Sequence, residues 1–166
     1  MRACVDVDYR TTGACAAAVT FHDWSDAEAV DEKTVHISEV APYVPGEFFR
    51  RELPGLLAIL KTLPVVETVI IDGYVWLDNS RPGLGGHLYQ ALGGRVEVVG
   101  IAKTKFRGAV GVCEVMRGTS TRPLYVSAAG IEAGLAAHCV RTMHGEHRIP
   151  SLVARVDYLC RHERVA

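Results

Sequence analysis

From residue 2 to residue 9 apolar and polar side chains alternate, which sets Cys4, Asp6 and Asp8 on one face of a strand and Ala3, Val5 and Val7 on the other. The Thr11-Thr12-Gly13 turn leads to a second strand over residues 14–21, and residues 32–37 form a third, so the chain opens as an antiparallel meander with residues 22–31 as a polar hairpin loop. Between residues 47 and 63, Phe49, Leu53, Leu56, Leu57 and Leu60 recur at helical spacing, and Pro54 either kinks that helix or begins its main part. Residues 65–71, carrying Val66, Val69, Ile70 and Ile71, read as an apolar run, the pattern of a strand buried on both faces, and the run ends in Asp72-Gly73.

The second half alternates in the same way. A short helix is expected over residues 83–92, buried strands over 96–102, 109–116 and 124–127, and a turn over 118–123. Ile131, Leu135 and Cys139, at i, i+4 and i+8, predict a helix with those three facing inward; Leu152, Val156 and Leu159 predict another after Pro150. Strands followed by alternating helices and strands argue for an α/β fold, a mixed sheet with helices on both faces, in one domain over residues 1–166.

Hydrophobic residues at 49% and charged residues at 22% describe a globular chain and exclude a disordered or fibrous one. The formal charge of −1 argues against a broadly basic DNA-coating surface, although Lys103, Lys105 and Arg107 form a local cluster able to follow a backbone. Cys4, Cys15, Cys113, Cys139 and Cys160 are scattered, with no Cys-x-x-Cys pair, so they read as reduced core thiols and not as a disulfide framework or zinc site. No apolar run is long enough to span a membrane, and the expected setting is cytoplasmic.

The candidate chemistry sits at strand ends. Asp6 in the first strand and Asp72 after the fourth meet at one sheet edge if those strands are neighbours, where a divalent cation would hold two carboxylates together; otherwise Asp72 starts a turn and Asp6 faces solvent. Glu52 lies in a charged triplet that interrupts an apolar helix start, as a site carboxylate or as part of an exposed salt-bridged face. In Pro42-Tyr43-Val44-Pro45-Gly46 two prolines fix the backbone around an aromatic ring, giving either a platform for a nucleobase or a cap on the core. Lys103 ends a strand, where it suits a phosphate, and His87 lies among glycines that permit close backbone approach. Gly83-Leu84-Gly85-Gly86 lacks the spacing of a dinucleotide-binding loop, and no serine sits in a nucleophile elbow.

Taken in order, Val5-Asp6-Val7-Asp8-Tyr9, Pro42-Tyr43-Val44-Pro45-Gly46, Phe49-Arg50-Arg51-Glu52-Leu53-Pro54, Ile71-Asp72-Gly73 and Gly100-Ile101-Ala102-Lys103 resemble the endonuclease V family. Pro123-Leu124-Tyr125-Val126-Ser127 and Arg148-Ile149-Pro150 continue the resemblance over nearly the whole chain. It implies a ribonuclease H-like fold and Mg²⁺-dependent (or Mn²⁺-dependent) endonuclease cleavage of DNA or RNA near a deaminated purine such as inosine, in the family at the second phosphodiester on its 3′ side. By motif match Asp6, Glu52 and Asp72 become metal ligands, Lys103 a catalytic phosphate contact, and Tyr43 with Pro45 the wedge beside the lesion. Gly46, Gly73 and His87 would meet the flipped base, with Ile101 and Ala102 nearby. A monomer whose partner is DNA or RNA, with no membrane, is expected.

The chain also departs from the family. Residues 73–82 stand where the family carries a Gly-x-Gly followed by a His-Pro-Arg element, and the bulky Tyr74, Val75 and Trp76 are expected to reshape the base pocket; Ala128-Ala129-Gly130 replaces a segment bearing a further His or Asp. Glu132 and Asp157 are the two acids that could complete the cluster. Two alternatives remain open: a ribonuclease H-like nuclease without inosine preference, and a nucleic-acid-binding module that does not cleave.

Overall fold

The computed structural model describes residues 1–163. The chain opens as the expected meander: β1 (Arg2–Tyr9), β2 (Ala14–Phe21) and β3 (Asp31–Ile37) pair antiparallel in sequence order. On the other side of β1, β4 (Thr68–Asp72) and then β5 (Glu97–Ala102) add in parallel, and β7 (Leu124–Ala129) and the short β6 (Cys113–Val115) finish the sheet antiparallel, giving the order β3-β2-β1-β4-β5-β7-β6. Parallel neighbours need a crossover, which α1 (Phe48–Leu60) and α2 (Leu84–Ala91) supply on one face. Helices α3 (Ala133–Thr142) and α4 (Ser151–His162) cover the other.

The alternation in β1 divides the core into two layers. Ala3, Val5 and Val7 pack with Leu56 and Ile59 of α1 and Leu88 of α2. Cys4 packs on the opposite face with Ala136 and Val140 of α3 and with Leu152, Val156 and Cys160 of α4. Strand β2 is buried along its whole length, and its central Ala16, Ala17 and Ala18 allow helices to approach closely from both sides. All five cysteines are free, with Cys4, Cys15 and Cys160 buried and Cys113 and Cys139 partly buried.

Several expected boundaries move for physical reasons. Helix α1 continues past Pro54 as one element, so the proline does not begin it. The fourth strand begins at Thr68 and not at residue 65: it follows Pro64, which has no N–H to donate, and leaves Val65 92% exposed. The strand expected over residues 109–116 shrinks to Cys113–Val115, because Gly111 adopts a left-handed φ of +62° that breaks the extended chain. In α3 the expected inward face is turned: Leu135 is 51% exposed, whereas Ala136, Ala137 and Val140 are buried. Small side chains let α3 lie close on β6 and β7, and that contact outweighs the size of Leu135.

Two arginines tie the α3–α4 connection to the sheet. The guanidinium of Arg117, only 6% exposed, donates to the backbone carbonyls of Met143, Gly145, His147 and Arg148. Arg148 in turn donates to the carbonyls of Lys103 and Pro123. A buried guanidinium is tolerated only when its donors are satisfied, and backbone oxygens do that for Arg117. Among the described residues no helix is long and apolar enough to cross a membrane.

Candidate active site

Because β1, β4 and β5 are parallel neighbours, their C-terminal ends share one edge of the sheet. The register pairs Val5 with Ile71 and Asp72 with Ile101, so one step further Asp6 stands beside Asp72 on the face that α4 covers. Lys103, just past the end of β5, places its Nζ 2.7 Å from Asp72 Oδ2. Gly73 follows at φ +125°, a backbone conformation that side chains rarely adopt, and it turns the chain away directly after the carboxylate.

Glu52 comes from the opposite layer. Gly55, three residues later, lies so close to the sheet that an added Cβ would be 3.0 Å from the side chains of Val7 and Ile37. That approach carries the first half of α1 over the end of β1 and leaves Glu52 only 6% exposed. Beside it, the guanidinium of Arg51 sits 3.9 Å over the ring of Tyr9. From the other side α4 brings Asp157 and Cys160, whose thiol contacts Asp6 Oδ2 at 3.5 Å. Asp6, Glu52, Asp72 and Asp157 thus line one cleft of about 370 Å³.

The electrostatics follow from this crowding. Burial pushes Glu52 up to about 7, with the charges of Asp6 and Asp72 acting in the same direction. Burial likewise raises Asp6 to about 6, helped by Asp72 and Asp157 and opposed by the Val7 N–H and the Cys160 thiol. Two carboxylates held above their ordinary range, crowded by further carboxylates with Arg161 as the one cation lining the cleft, are short of positive charge, and the carboxylate donors suit a hard divalent cation. Among the described residues no three side chains already stand at metal-ligand spacing.

Adjoining the acids is a larger, more apolar pocket of about 480 Å³ that shares Phe48, Asp72 and Gly73 with the acid cleft. Gly46, Gly73, His87 and Tyr74 line it, together with Phe49 and Phe106, which the residue pattern did not single out for this role. Phe49 stacks on the His87 imidazole with ring centroids 3.6 Å apart, and burial lowers the pKa of that histidine, favouring the neutral ring. Tyr43 is 61% exposed on the neighbouring segment, and neither it nor Pro45 lines the pocket.

Other expectations are corrected here. Ile101 and Ala102 are buried in the sheet, 2% and 5% exposed, and do not reach the pocket. Of the bulky triplet only Tyr74 forms a wall. Val75 is fully buried with its N–H donated to Ser127 Oγ, and Trp76 turns back to donate its indole N–H to the Ala128 carbonyl. Glu132 takes no part in the acid cleft, because its carboxylate caps α3 through the N–H groups of Gly134 and Leu135.

A model of the endonuclease V family matches residues 1–120. This chain belongs to the endonuclease V family. It is 33% identical over 168 residues to endonuclease V of Streptomyces coelicolor, covering 88% of this chain and 71% of that protein. The crystal structure of endonuclease V from Streptomyces avermitilis, 30% identical, superposes with a TM-score of 0.76 and covers 96% of this chain and 78% of that one. Endonuclease V of Ciona intestinalis, solved in complex with a 24mer DNA containing an inosine followed by a ribo-adenosine, shares the fold with a TM-score of 0.80 at 18% identity, covering 96% of this chain and 84% of that one. The sheet of this chain is accordingly the ribonuclease H-like mixed sheet. Asp157 lies beyond the matched residues, yet the docking of α4 brings it to the same cleft.

Proposed function

We propose that this member of the endonuclease V family hydrolyses a phosphodiester bond of DNA or RNA close to a deaminated base such as inosine, with Mg²⁺ as its cation. The observation that carries this reading is the shared wall: Asp72 and Gly73 line both the acid cleft and the apolar pocket, so a base in the second sets a nearby phosphate at the first. Asp6, Glu52 and Asp72 would hold the metal, with Asp157 as a fourth carboxylate at the same cleft. When bound, the cation polarises the phosphate and acidifies a water.

The chain's own groups do the rest. Lys103 carries a positive charge at the end of β5, where it offsets charge on the phosphate oxygens as the attacking water adds and the leaving oxygen departs. Glu52, raised to about 7 in the metal-free cleft, would give up its proton on holding the cation. Gly46 and Gly73, with no side chain within 4 Å of where a Cβ would sit, let backbone approach an extruded base closely, and His87 offers a neutral ring nitrogen to its polar edge. Tyr43, exposed between prolines, would fill the gap left by the extruded base.

The test is cleavage of matched single-stranded DNA and RNA oligonucleotides, with and without one inosine, in Mg²⁺ and in EDTA. Mg²⁺-dependent cutting confined to the inosine strands is the expected result. Equal cutting of both strands would leave a nuclease without base preference, and binding without cutting would make the protein a non-cleaving module.

A further inference from the structure

Past the base pocket, on the side away from the acids, lies a hollow of about 180 Å³. Tyr74 and Phe106 line both spaces and so form the partition between them, whereas Lys105, Arg107 and Tyr125 line only the outer one. The partition is fixed at its tip: the Tyr74 hydroxyl donates to the Thr104 carbonyl at 2.7 Å and accepts from the Phe106 N–H at 3.0 Å. Phe106 is nevertheless 42% exposed, an aromatic surface left in contact with water. Of the two cations, Lys105 is held only by a solvent-exposed pair with Glu114 at 3.3 Å, and Arg107 forms no ion pair among the described residues.

We propose that this hollow is a subsite for the nucleotide next to the recognised base, on the side away from the scissile phosphate. The inference rests on the base-pocket reading above and extends it. The acid cleft shares residues with the base pocket, the base pocket shares residues with the hollow, and the cleft and the hollow share none. A strand with its phosphate at the acids and its base in the middle therefore continues into the hollow. With the cut on the 3′ side, as the family resemblance implies, the occupant is the 5′ neighbour. Aromatic faces at Phe106 and Tyr125 stack any base, and Lys105 and Arg107 attract its phosphate, the combination that binds single strands with little sequence preference.

The experiment measures binding of the whole chain, in EDTA, to a fluorescent single-stranded oligonucleotide containing one inosine, whose 5′ neighbour is either an ordinary nucleotide or an abasic residue. Wild type should lose about tenfold in affinity on the abasic strand, and Tyr125→Ala, weakened already, should lose no more than about twofold further. Equal loss in both proteins, or none in wild type, overturns the subsite. Arg107→Gln, at an exposed position that leaves the fold alone, should lower the slope of log affinity against log salt by about 0.7; an unchanged slope also counts against it. Replacing inosine by adenosine in the same strand reads the base pocket separately, so failure of that reading is distinguishable from failure of the subsite.

Discussion

The ammonium of Lys103 stands 2.7 Å from the carboxylate of Asp72 and joins the ends of two parallel strands at the mouth of the acid cleft. Both side chains are more than two-fifths exposed, 42% and 44%, so the pair adds little to stability. In the proposed mechanism it keeps the Lys103 ammonium beside the metal carboxylate, where a phosphate would bind.

Asp72→Asn should therefore abolish Mg²⁺-dependent cleavage while shifting the melting temperature hardly at all. Lys103→Ala should slow single-turnover cleavage by on the order of 10²-fold. Retained cleavage in Asp72→Asn would remove that residue from the metal site.

Asp157→Asn should impair cleavage as severely as Asp72→Asn, since both carboxylates line the same cleft. Glu132→Ala makes the contrast, because its carboxylate caps α3. That variant should melt at a lower temperature and cleave normally, and the reverse pattern would exchange the two assignments.

Without metal, stability should fall as the pH rises from about 5 to about 7.5. The folded-state values of Glu52, about 7, and Asp6, about 6, lie above the ordinary values of 4.5 and 3.8. The folded chain thus binds more protons than the unfolded one across this window. Their contribution is complete below the ordinary values and is lost as pH passes the raised ones. Urea midpoints at both ends of the window measure the loss. Glu52→Gln should flatten the slope, and added Mg²⁺ should raise the midpoint most at the alkaline end.

Tyr43→Ala should raise KM for an inosine strand by roughly 5- to 100-fold, the range expected from one stacked base. Since the ring is 61% exposed, its loss should leave the melting temperature unchanged. Unaltered kinetics would remove the wedge.

Much of this was legible in the chain because it depends on local pattern. Asp6 and Asp72 each end an apolar stretch, and the parallel pairing of β1 with β4 brings them side by side. The pairing of Lys103 with Asp72 follows from the next parallel strand. What stayed hidden depends on how distant elements dock. Asp157 sits on an ordinary amphipathic helix, and only the packing of α4 on β1 distinguishes it from Glu132. Trp76 looked like a pocket residue because its neighbours in sequence are, but the Ala128 carbonyl draws its indole into the sheet. Leu135 was misplaced by size: periodicity favours the largest apolar side chain, whereas a close helix–sheet contact favours alanine.

The grip of Arg117 on the α3–α4 connection also bears on how this protein can vary. All four of its acceptors are main-chain oxygens, so the side chains of residues 143–148 are not what the arginine reads. Apart from Arg148, the buried Met143 and Gly145, whose φ of +116° leaves no room for a side chain, that connection can be rewritten while α4 keeps its seat. The carboxylate of Asp157 is thereby insulated from drift in the segment that delivers it, and a neutral change at Arg117 would reach the cleft although the arginine never touches it.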